Sequence, residues 1–504
     1  MTRRTSAILA ILALVLATVA GALLASRRSS AHEHHSAATV TLSVGAPIGR
    51  AIPAGFLGLS FEYPAVAAYA GSDPNAVNPV LVQLIRNLSP GQAPSLRIGG
   101  DTTDWTWWPI PGVKTPHGVR YTLTPRWVRV TAALTRDLGA RLILGINLEA
   151  DSAAVASVEA QELIERIGPT TIAGLEPGNE PELYGSFYFY KLPNGKPATG
   201  RPSGYNFSDY LRDFSQIIRL LPQVPLAGPA TGGPRWIPEL GRFLAAQPRV
   251  RLATIHKYPL QTCFIAPAQP QYPTIAHLLA PLASRGLADS VSASVRSAHA
   301  RHVALRIDEM NSDSCGTAPG VSNGFASALW ALDAVFQMAR VGVDGVNLHT
   351  YPRATYELFT FTHPHGRWSA FVAPEYYGLE LFAQAAPPGA RLLRVSGSAG
   401  NVETWATRAP DGSVRVVLIN EYTAQSRTVA LRIPGAGGPA TLTRLLAKGI
   451  TARTGVTLGG QTYGAATRTG TLAGRSTVVG VNKTAAGYVV TLPQASAAML
   501  TIAP

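Results

Sequence analysis

Eight short apolar runs recur along residues 55–352, and each ends in polar or glycine-rich residues. Each run has about the length of a buried strand, and none alternates apolar and polar residues as a half-exposed strand does. Continuous apolar runs of this length are typical of parallel strands that are covered on both faces. The runs are GFLGLSFEY (55–63), PSLRIGG (94–100), RLILGINLE (141–149), AGLEPGNE (173–180), VPLAGPA (224–230), RLATIHKYP (251–259), VALRIDEMN (303–311) and DGVNLHTYP (344–352).

Stretches with a helical spacing of apolar residues lie between these runs. Strand followed by helix, repeated eight times, is the sequence pattern of a (β/α)₈ TIM barrel, a form of the α/β class. We therefore predict a barrel over residues 51–385. The clearest helical stretches are NPVLVQLIRNL (78–88), RWVRVTAALTRDL (126–138), SDYLRDFSQIIRLL (208–221) and FASALWALDAVFQMARV (325–341).

The pattern changes after residue 385. Residues 391–434 alternate apolar and polar side chains, with APDG (409–412) as a turn between two strands, and Thr/Val strands with glycine-rich turns continue to the C-terminus. This alternation predicts an antiparallel β-sandwich domain over residues 386–504. The segment ATVTLSVG (38–45) alternates in the same way. We expect residues 31–50 to contain a leader and an edge strand that joins this sandwich.

The N-terminus has the order of charges and apolar residues found in export signals. Arg3 and Arg4 precede an uncharged stretch of residues 6–26, which Arg27 and Arg28 close. Residues 1–30 are therefore predicted to be a signal peptide or, because the stretch is long enough to span a bilayer, an uncleaved signal anchor. The expected location is extracellular or in the cell envelope, and an uncleaved anchor would be the only membrane contact.

Composition narrows the class of partner. The 504 residues carry a formal net charge of +14, with 46% hydrophobic and 14% charged residues. This is the composition of a well-buried globular protein of more than one domain. The positive charge is dispersed outside the N-terminus, and dispersed charge is usually solvated surface, so no nucleic-acid partner is expected.

The chemistry is expected at the carboxyl ends of the barrel strands, where TIM-barrel active sites lie. Strand four ends in Asn179 and Glu180, and strand seven ends in Glu309. Two carboxyl groups that face each other across the mouth suit glycoside hydrolysis, with Glu309 as nucleophile and Glu180 as acid and base. Ordinary rim salt bridges are the alternative reading, and Arg97 is well placed to neutralise one carboxylate. Other polar and aromatic groups expected on this rim are Glu62, Asp101, Tyr258, Tyr351 and the tryptophans of DWTWWP (104–109), which could equally belong to the core.

Several motifs resemble glycoside hydrolase family 79, which includes heparanase and microbial β-glucuronidases. They are FLGLSFEY (56–63), LRIGGDTTD (96–104), GLEPGNEP (174–181) and IDEMNSDSCGTAPGVSNGFASALWALD (307–333). The resemblance implies a retaining β-glucuronidase that acts on carbohydrate. Two-carboxylate chemistry needs no metal or cofactor, and the sequence predicts neither. The resemblance assigns the acid/base role to Glu180 and the nucleophile role to Glu309.

The resemblance also implies the substrate-binding residues. It has Asn179 bind the sugar 2-hydroxyl and places Glu62 and Asp101 on other hydroxyls, with Tyr258 beside Glu309. In heparanase-like members a tyrosine followed by glycines binds the glucuronate carboxylate, whereas this chain has Ser314-Cys315-Gly316 there. Tyr351 or Tyr356 could supply a phenol instead. A neutral xyloside, arabinoside or glucoside is therefore an alternative substrate, and a non-catalytic carbohydrate-binding barrel is an alternative of another class.

The chain has two cysteines, Cys263 and Cys315. An even pair in an exported protein suggests a disulfide bond, and two buried free thiols are the alternative. Cys263 follows strand six and Cys315 follows the nucleophile, so both lie on adjacent loops of the same rim. We therefore predict a disulfide bond that braces the pocket wall.

Overall fold

The computed structural model describes residues 40–315 and 318–504. Residues Val40–Pro504 form one compact unit. The predicted export signal in residues 1–30 lies outside the described residues. Of the helices in the described ranges, none is both long and apolar enough to cross a membrane.

Eight parallel strands close into a barrel, as predicted. Neighbouring strands in the barrel are neighbours in the chain, and the last pairs with the first through Val346–Leu57 to Thr350–Phe61. All eight apolar runs of the sequence contribute a strand. The strands are β1 Leu57–Glu62, β2 Ser95–Gly99, β3 Arg141–Ile146, β4 Ile172–Pro177, β5 Leu226–Thr231, β6 Val250–Lys257, β7 Ala304–Met310 and β8 Gly345–Thr350.

A main helix follows each barrel strand. Additional helices occur at Tyr63–Ala70, at Thr102–Trp105 and before α6. The four helical stretches singled out in the sequence all form. The main helices are α1 Pro79–Leu88, α2 Pro125–Leu138, α3 Ala153–Ile167, α4 Phe207–Ile218, α5 Leu240–Ala246, α6 Ser292–His299, α7 Phe325–Arg340 and α8 Pro374–Ala385.

Local sequence explains where these helices begin and end. Asn206 begins α4 with a capping box: its side chain accepts from the backbone of Asp209, and the Asp209 carboxylate accepts in return from the Asn206 backbone. The helix ends at Ile218, short of the predicted residue 221, because Pro222 disfavours helical backbone just before it. Gly139 ends α2 with a left-handed φ of 64°, which glycine adopts without steric cost.

The C-terminal β domain is a ten-stranded, mostly antiparallel sheet that surrounds its own apolar core. In order across the sheet, the strands are Thr457–Leu458, Ala440–Leu446, Ser496–Ile502, Val414–Asn420, Val402–Arg408, Arg391–Ser396, Val40–Ala51, Arg427–Arg432 and Tyr488–Leu492, with Val479–Val481 added on Ala440–Leu446.

The N-terminal strand Val40–Ala51 joins this sheet, as predicted, but the expectation of an edge position was wrong. It pairs antiparallel with Arg391–Ser396 and parallel with Arg427–Arg432, so both of its edges are hydrogen-bonded. Leu42 and Val44 are 2% exposed and point into the core of the β domain. Since alternation reports only which side chains face the core, it could not distinguish an edge strand from an internal one.

The barrel and the β domain share apolar packing. Val417, Ile419 and Leu445 of the β domain belong to the same buried cluster as the barrel helices. Trp405 stacks on Phe336 of α7, with ring centroids 5.3 Å apart, and its indole nitrogen donates to Asp333 at 2.7 Å. This contact lies on the helical outer layer, which leaves the carboxyl ends of the strands free to form a pocket.

Candidate active site

A cavity of about 750 Å³ opens at the carboxyl end of the barrel. All the acidic, amide and tyrosine side chains that the sequence singled out for the site line it. These are Glu62, Asp101, Asn179, Glu180, Tyr258, Glu309 and Tyr351, together with both cysteines.

Glu180 and Glu309 meet at the floor of this cavity. Carboxylate oxygens of the two residues and a ring nitrogen of His256 all lie within 4.8 Å of one another. Glu309 is part of β7, whereas Glu180 follows β4 with a left-handed φ of 46°. Its backbone N–H donates to the carbonyl of Ala230 at 2.8 Å, which ties this conformation to β5. Non-glycine residues in this region are strained and occur often at functional sites.

Glu309 is held by two hydrogen bonds. Arg97 Nη1 donates to its Oε2 at 2.6 Å, and the Tyr258 hydroxyl donates to its Oε1 at 2.8 Å. The side chain is only 9% exposed, whereas that of Glu180 is 23% exposed. The predicted position of Tyr258 beside Glu309 is thus what the structure has. With both oxygens hydrogen-bonded, the orientation of the Glu309 carboxylate is fixed.

The charges around Glu309 keep it ionised. Burial raises its pKa, but the nearby His349, His256 and Arg97 together outweigh burial and hold the pKa well below its ordinary value. His349 Nδ1 lies 3.9 Å from Oε2 of Glu309. A buried carboxylate that stays charged is suited to act as a nucleophile or as an electrostatic stabiliser.

Glu180 has a different partner. His256 Nδ1 lies 3.0 Å from its Oε1. Burial lowers the pKa of His256, but Glu309 and Asp308, together with the hydrogen bond to Glu180, outweigh this and raise the pKa to about 10. A proton therefore stays on this pair at neutral pH, at a position that His256 and Glu180 can share. The two glutamates thus have distinct surroundings, as an acid and a nucleophile require.

Arg97 is the centre of the buried network beneath both glutamates. Its guanidinium is fully buried and contacts Glu176, Asp308 and Glu309 at 2.6–3.0 Å. Its third nitrogen donates to the Asn179 side chain at 2.9 Å. The sequence suggested Arg97 as a neutralising group for one carboxylate; in the structure it contacts three.

The remaining predicted polar residues lie around this centre. Asn179 Nδ2 donates to Asp101 at 3.4 Å, and Glu62 accepts from the backbone of Thr102 at 2.9 Å. Burial, followed by repulsion from Glu62, Glu180 and Glu309, raises the pKa of Asp101 to about 8. A neutral Asp101 can donate a hydrogen bond as well as accept one, which suits the hydroxyl groups of a sugar.

Asp104 and Tyr184 were not recognised as part of the site. Asp104 Oδ2 accepts from the Asn179 backbone at 3.0 Å and from the Tyr184 hydroxyl at 2.7 Å. Its other oxygen accepts from the backbones of Leu148 and Glu149. This carboxylate therefore joins the loops after β2, β3 and β4. The GGDTTD motif pointed to Asp104, but no local sequence pattern identified the groups that donate to its carboxylate.

The tryptophans of the DWTWWP loop separate into two groups. Trp105 lines the cavity, whereas Trp107 and Trp108 are 4% and 8% exposed and belong to the interior. The sequence left both readings open, because an indole suits a sugar-stacking surface and a core equally well.

Cys263 and Cys315 are neighbours on the cavity wall, but both are free thiols. The predicted disulfide bond is therefore absent from the structure. Cys263 Sγ donates to the carbonyl oxygen of Cys315 at 3.4 Å, so this thiol is hydrogen-bonded to the backbone of the other cysteine.

Glu180, His256 and Glu309 are also the described residues whose spacing could hold a metal ion. The charges around these three residues favour a proton over a metal ion. His256 carries its own positive charge, and the Arg97 guanidinium already neutralises Glu309. A cation at this point would be repelled by both.

Comparisons with known proteins agree with this architecture. Residues 403–499 match the glycosyl hydrolase family 79 C-terminal beta domain. A β-glucuronidase of Aspergillus niger is 21% identical over 492 residues, which cover 86% of this chain and 87% of that protein.

Solved structures share the fold over almost the whole chain. A 4-O-α-L-rhamnosyl-β-D-glucuronidase from Fusarium oxysporum 12S superposes with a TM-score of 0.70 at 20% identity, covering 92% of this chain and 100% of that one. A family 51 arabinofuranosidase from Xanthomonas axonopodis pv. citri gives a TM-score of 0.64 at 16% identity, covering 92% and 99%. At these identities the likeness establishes the fold alone.

A barrel with paired glutamates at its mouth, followed by a β domain of this type, defines the protein as a glycoside hydrolase. Through its C-terminal domain match and its relative of similar length, the chain is similar to members of glycoside hydrolase family 79.

Proposed function

We propose that the protein is an exported β-glucuronidase that hydrolyses β-glucuronides with retention of configuration. The separation of the two catalytic carboxylates carries the proposal. Retaining glycosidases place their carboxyl groups about 5–5.5 Å apart, and inverting enzymes leave about 6.5–9.5 Å for a water molecule. Oxygens of Glu180 and Glu309 within 4.8 Å of each other fit the shorter separation.

In the first step, a Glu309 oxygen attacks the anomeric carbon of the sugar. The bond from that carbon to the leaving oxygen breaks, and Glu180 gives its proton to this oxygen. The low pKa of Glu309 means that the attacking group is already ionised. The Tyr258 and Arg97 hydrogen bonds orient it toward the sugar.

In the second step, the Glu180 carboxylate takes a proton from water. The water oxygen attacks the anomeric carbon, the bond to Glu309 breaks, and two inversions give net retention.

A cation in the cavity supports a uronate substrate. Lys257 is the only lysine or arginine among the described residues that line the cavity. No carboxylate of the described residues pairs with it, and burial lowers its pKa. A substrate carboxylate would provide the missing partner. The related β-glucuronidase of Aspergillus niger and the rhamnosyl-glucuronidase of similar fold support the same substrate class.

The cavity is also less negative than its carboxyl groups suggest. Burial raises the pKa of Asp101 to about 8 and that of Glu149 to about 9, so both are largely neutral at pH 7. This reduces the repulsion that a glucuronate would otherwise meet. A neutral glycoside is the second candidate, because the chain lacks the tyrosine that heparanase-like members have near residue 314.

A panel of 4-nitrophenyl glycosides tests the proposal. We expect kcat/KM for the β-glucuronide to exceed that for the β-glucoside, β-xyloside and α-arabinofuranoside, and proton NMR to detect the β-anomer as the first product. Lys257→Met is expected to lower glucuronide turnover about tenfold or more, whereas the exposed Lys448→Met serves as the control. Equal turnover of neutral glycosides would exclude the uronate preference, and the α-anomer as first product would exclude retention.

Export completes the proposal and rests on the N-terminal sequence. The arginines and the uncharged stretch of residues 6–26 support a signal for export. Fractionation of a host that expresses the full chain tests this. Activity confined to the cytosol would contradict it.

A further inference from the structure

Two exposed aromatic rings from different loops meet at the mouth of the cavity. Phe187 is 44% exposed and Phe264 is 65% exposed. Their ring centroids lie 5.9 Å apart with an interplanar angle of 79°, an edge-to-face arrangement. Both residues line the cavity. Exposed phenylalanines that contact each other beside a pocket indicate a binding surface.

The first ring is fixed relative to the acid. A short helix, Pro181–Leu183, follows Glu180, and the backbone N–H of Phe187 donates to the Leu183 carbonyl at 2.9 Å. The hairpin of Tyr188–Lys191 and Pro197–Thr199 begins directly after Phe187. Arg120 donates to the carbonyl of Phe189 at 2.9 Å and anchors this hairpin. Phe187 therefore lies on the same side of the cavity as Glu180.

The second ring is fixed relative to the nucleophile. Strand Leu260–Gln261 pairs with strand Asp313–Ser314, which follows Glu309 and β7. The hydroxyl of Thr262 donates to the Cys315 carbonyl at 2.9 Å, and the Cys263 thiol contacts the same oxygen. Phe264 follows these contacts directly. The aromatic pair thus joins the loop that follows Glu180 to the loop after β6, which is itself paired with the segment that follows Glu309.

Further apolar and aromatic side chains line the same cavity as this pair. Leu183, Tyr188 and Pro234 also line the cavity, and Tyr188 is 67% exposed. A sugar needs hydrogen-bonding partners for its hydroxyl groups, whereas a flat apolar ring is satisfied by aromatic faces and edges. The catalytic end therefore suits the sugar, and the aromatic end suits an apolar group attached to it.

We propose that Phe187 and Phe264 form a subsite for a flat aromatic leaving group, so that aryl glycosides are the preferred substrates. This inference rests on the proposed glycosidase mechanism, because Glu180 protonates the leaving oxygen and Phe187 stands on that side. The two rings contact the faces and edges of the aglycone while the sugar occupies the end with Glu62 and Asp101.

The test compares aglycones on one sugar. Wild type, Phe187→Ala, Phe264→Ala and the double variant are assayed on three β-glucuronides: a methyl glucuronide, a single-ring aryl glucuronide and a fused-ring aryl glucuronide, the two phenols having matched acidity. We expect kcat/KM for the fused-ring substrate to fall about tenfold in each variant, while the methyl glucuronide changes less than about twofold. Leu220→Ala, at a 52% exposed apolar residue, is the control.

Inhibition by the free fused-ring phenol gives a second measurement that involves no leaving-group chemistry. Its inhibition constant is expected to rise about tenfold in the variants. Equal losses on the methyl and fused-ring substrates, or a larger loss on a glucuronyl disaccharide than on the aryl glucuronides, would overturn the subsite. If wild type hydrolyses another glycoside but no glucuronide, the proposed β-glucuronidase fails, and the same aglycones on the accepted sugar still decide the subsite.

Discussion

Arg97 Nη1 lies 2.6 Å from Oε2 of Glu309, and the same guanidinium contacts Glu176, Asp308 and Asn179. One cation in the middle of β2 therefore sets the position of residues on or just after β4 and β7. The planar fork of arginine permits this, because its nitrogens donate in several fixed directions at once.

Arg97→Lys is expected to lower kcat by at least about 100-fold and to destabilise the fold. Lysine keeps the charge but cannot contact three carboxylates and Asn179 together, so buried charges lose partners. Breaking a buried ion pair typically costs about 3–5 kcal/mol. Urea unfolding and steady-state kinetics measure the two effects. Arg136→Lys, at a side chain that is 70% exposed, is the control. Near-normal activity in Arg97→Lys would show that the network does not position Glu309.

The roles of the two glutamates predict opposite products in the presence of azide. Glu309→Ala and Glu180→Ala are each expected to lose at least about 1,000-fold in kcat. Azide should partly restore both: in Glu309→Ala it replaces the nucleophile and gives an α-glycosyl azide. In Glu180→Ala it intercepts the covalent intermediate and gives a β-glycosyl azide. NMR of the products distinguishes them, and the same anomer from both variants would refute the assigned roles.

His349→Gln is expected to move the acidic limb of the kcat/KM profile to higher pH. Burial raises the pKa of Glu309, and His349 is the largest of the charges that lower it. Removing that charge raises the pKa, so a larger share of Glu309 is protonated and inactive as the pH falls. A shift of about one pH unit is expected. The profile of kcat/KM, followed down to the lowest pH at which the protein stays folded, measures it. An unchanged acidic limb, with full activity at neutral pH, would contradict this role of His349.

Glu421→Gln is expected to stabilise the protein at alkaline pH. Burial, followed by repulsion from Asp333 and Glu403, raises the pKa of Glu421 to about 9. Between the unfolded value of about 4.3 and this folded value, the folded state binds more protons than the unfolded state, so stability falls as pH rises. The amide removes this cost.

We expect the free energy of unfolding of Glu421→Gln to exceed that of wild type by about 1–3 kcal/mol at pH 8 and to equal it at pH 4. Urea unfolding at both values measures the difference. The exposed Glu165→Gln, on α3, is the matched control. The same effect at pH 4 and pH 8 would point to packing and not to ionisation.

The placement of residues near strand ends could be predicted, because it depends on the local pattern of apolar residues. The apolar runs fixed the positions of eight strands, and the carboxyl ends of parallel strands must meet at one end of a barrel. Glu180, Glu309 and Tyr258 were therefore placed together correctly.

The contacts between loops could not be predicted in the same way. The hydrogen bond of His256 to Glu180 and the pairing of Phe187 with Phe264 depend on loop geometry that no periodic pattern encodes. The internal position of Val40–Ala51 in its sheet and the absence of a bond between the two thiols also depend on how distant segments meet.

The sequence by itself determined the barrel, the following β domain and the placement of Glu180 and Glu309 at the ends of barrel strands, because the period of apolar residues and the order of strands are local properties of the chain. Only the tertiary structure decided the electrostatics of the site. The pKa of a carboxyl group depends on burial and on charges within a few ångströms. For Glu309 those charges come from Arg97, His256 and His349, on three different strands, and the distances among them exist only once the barrel has closed.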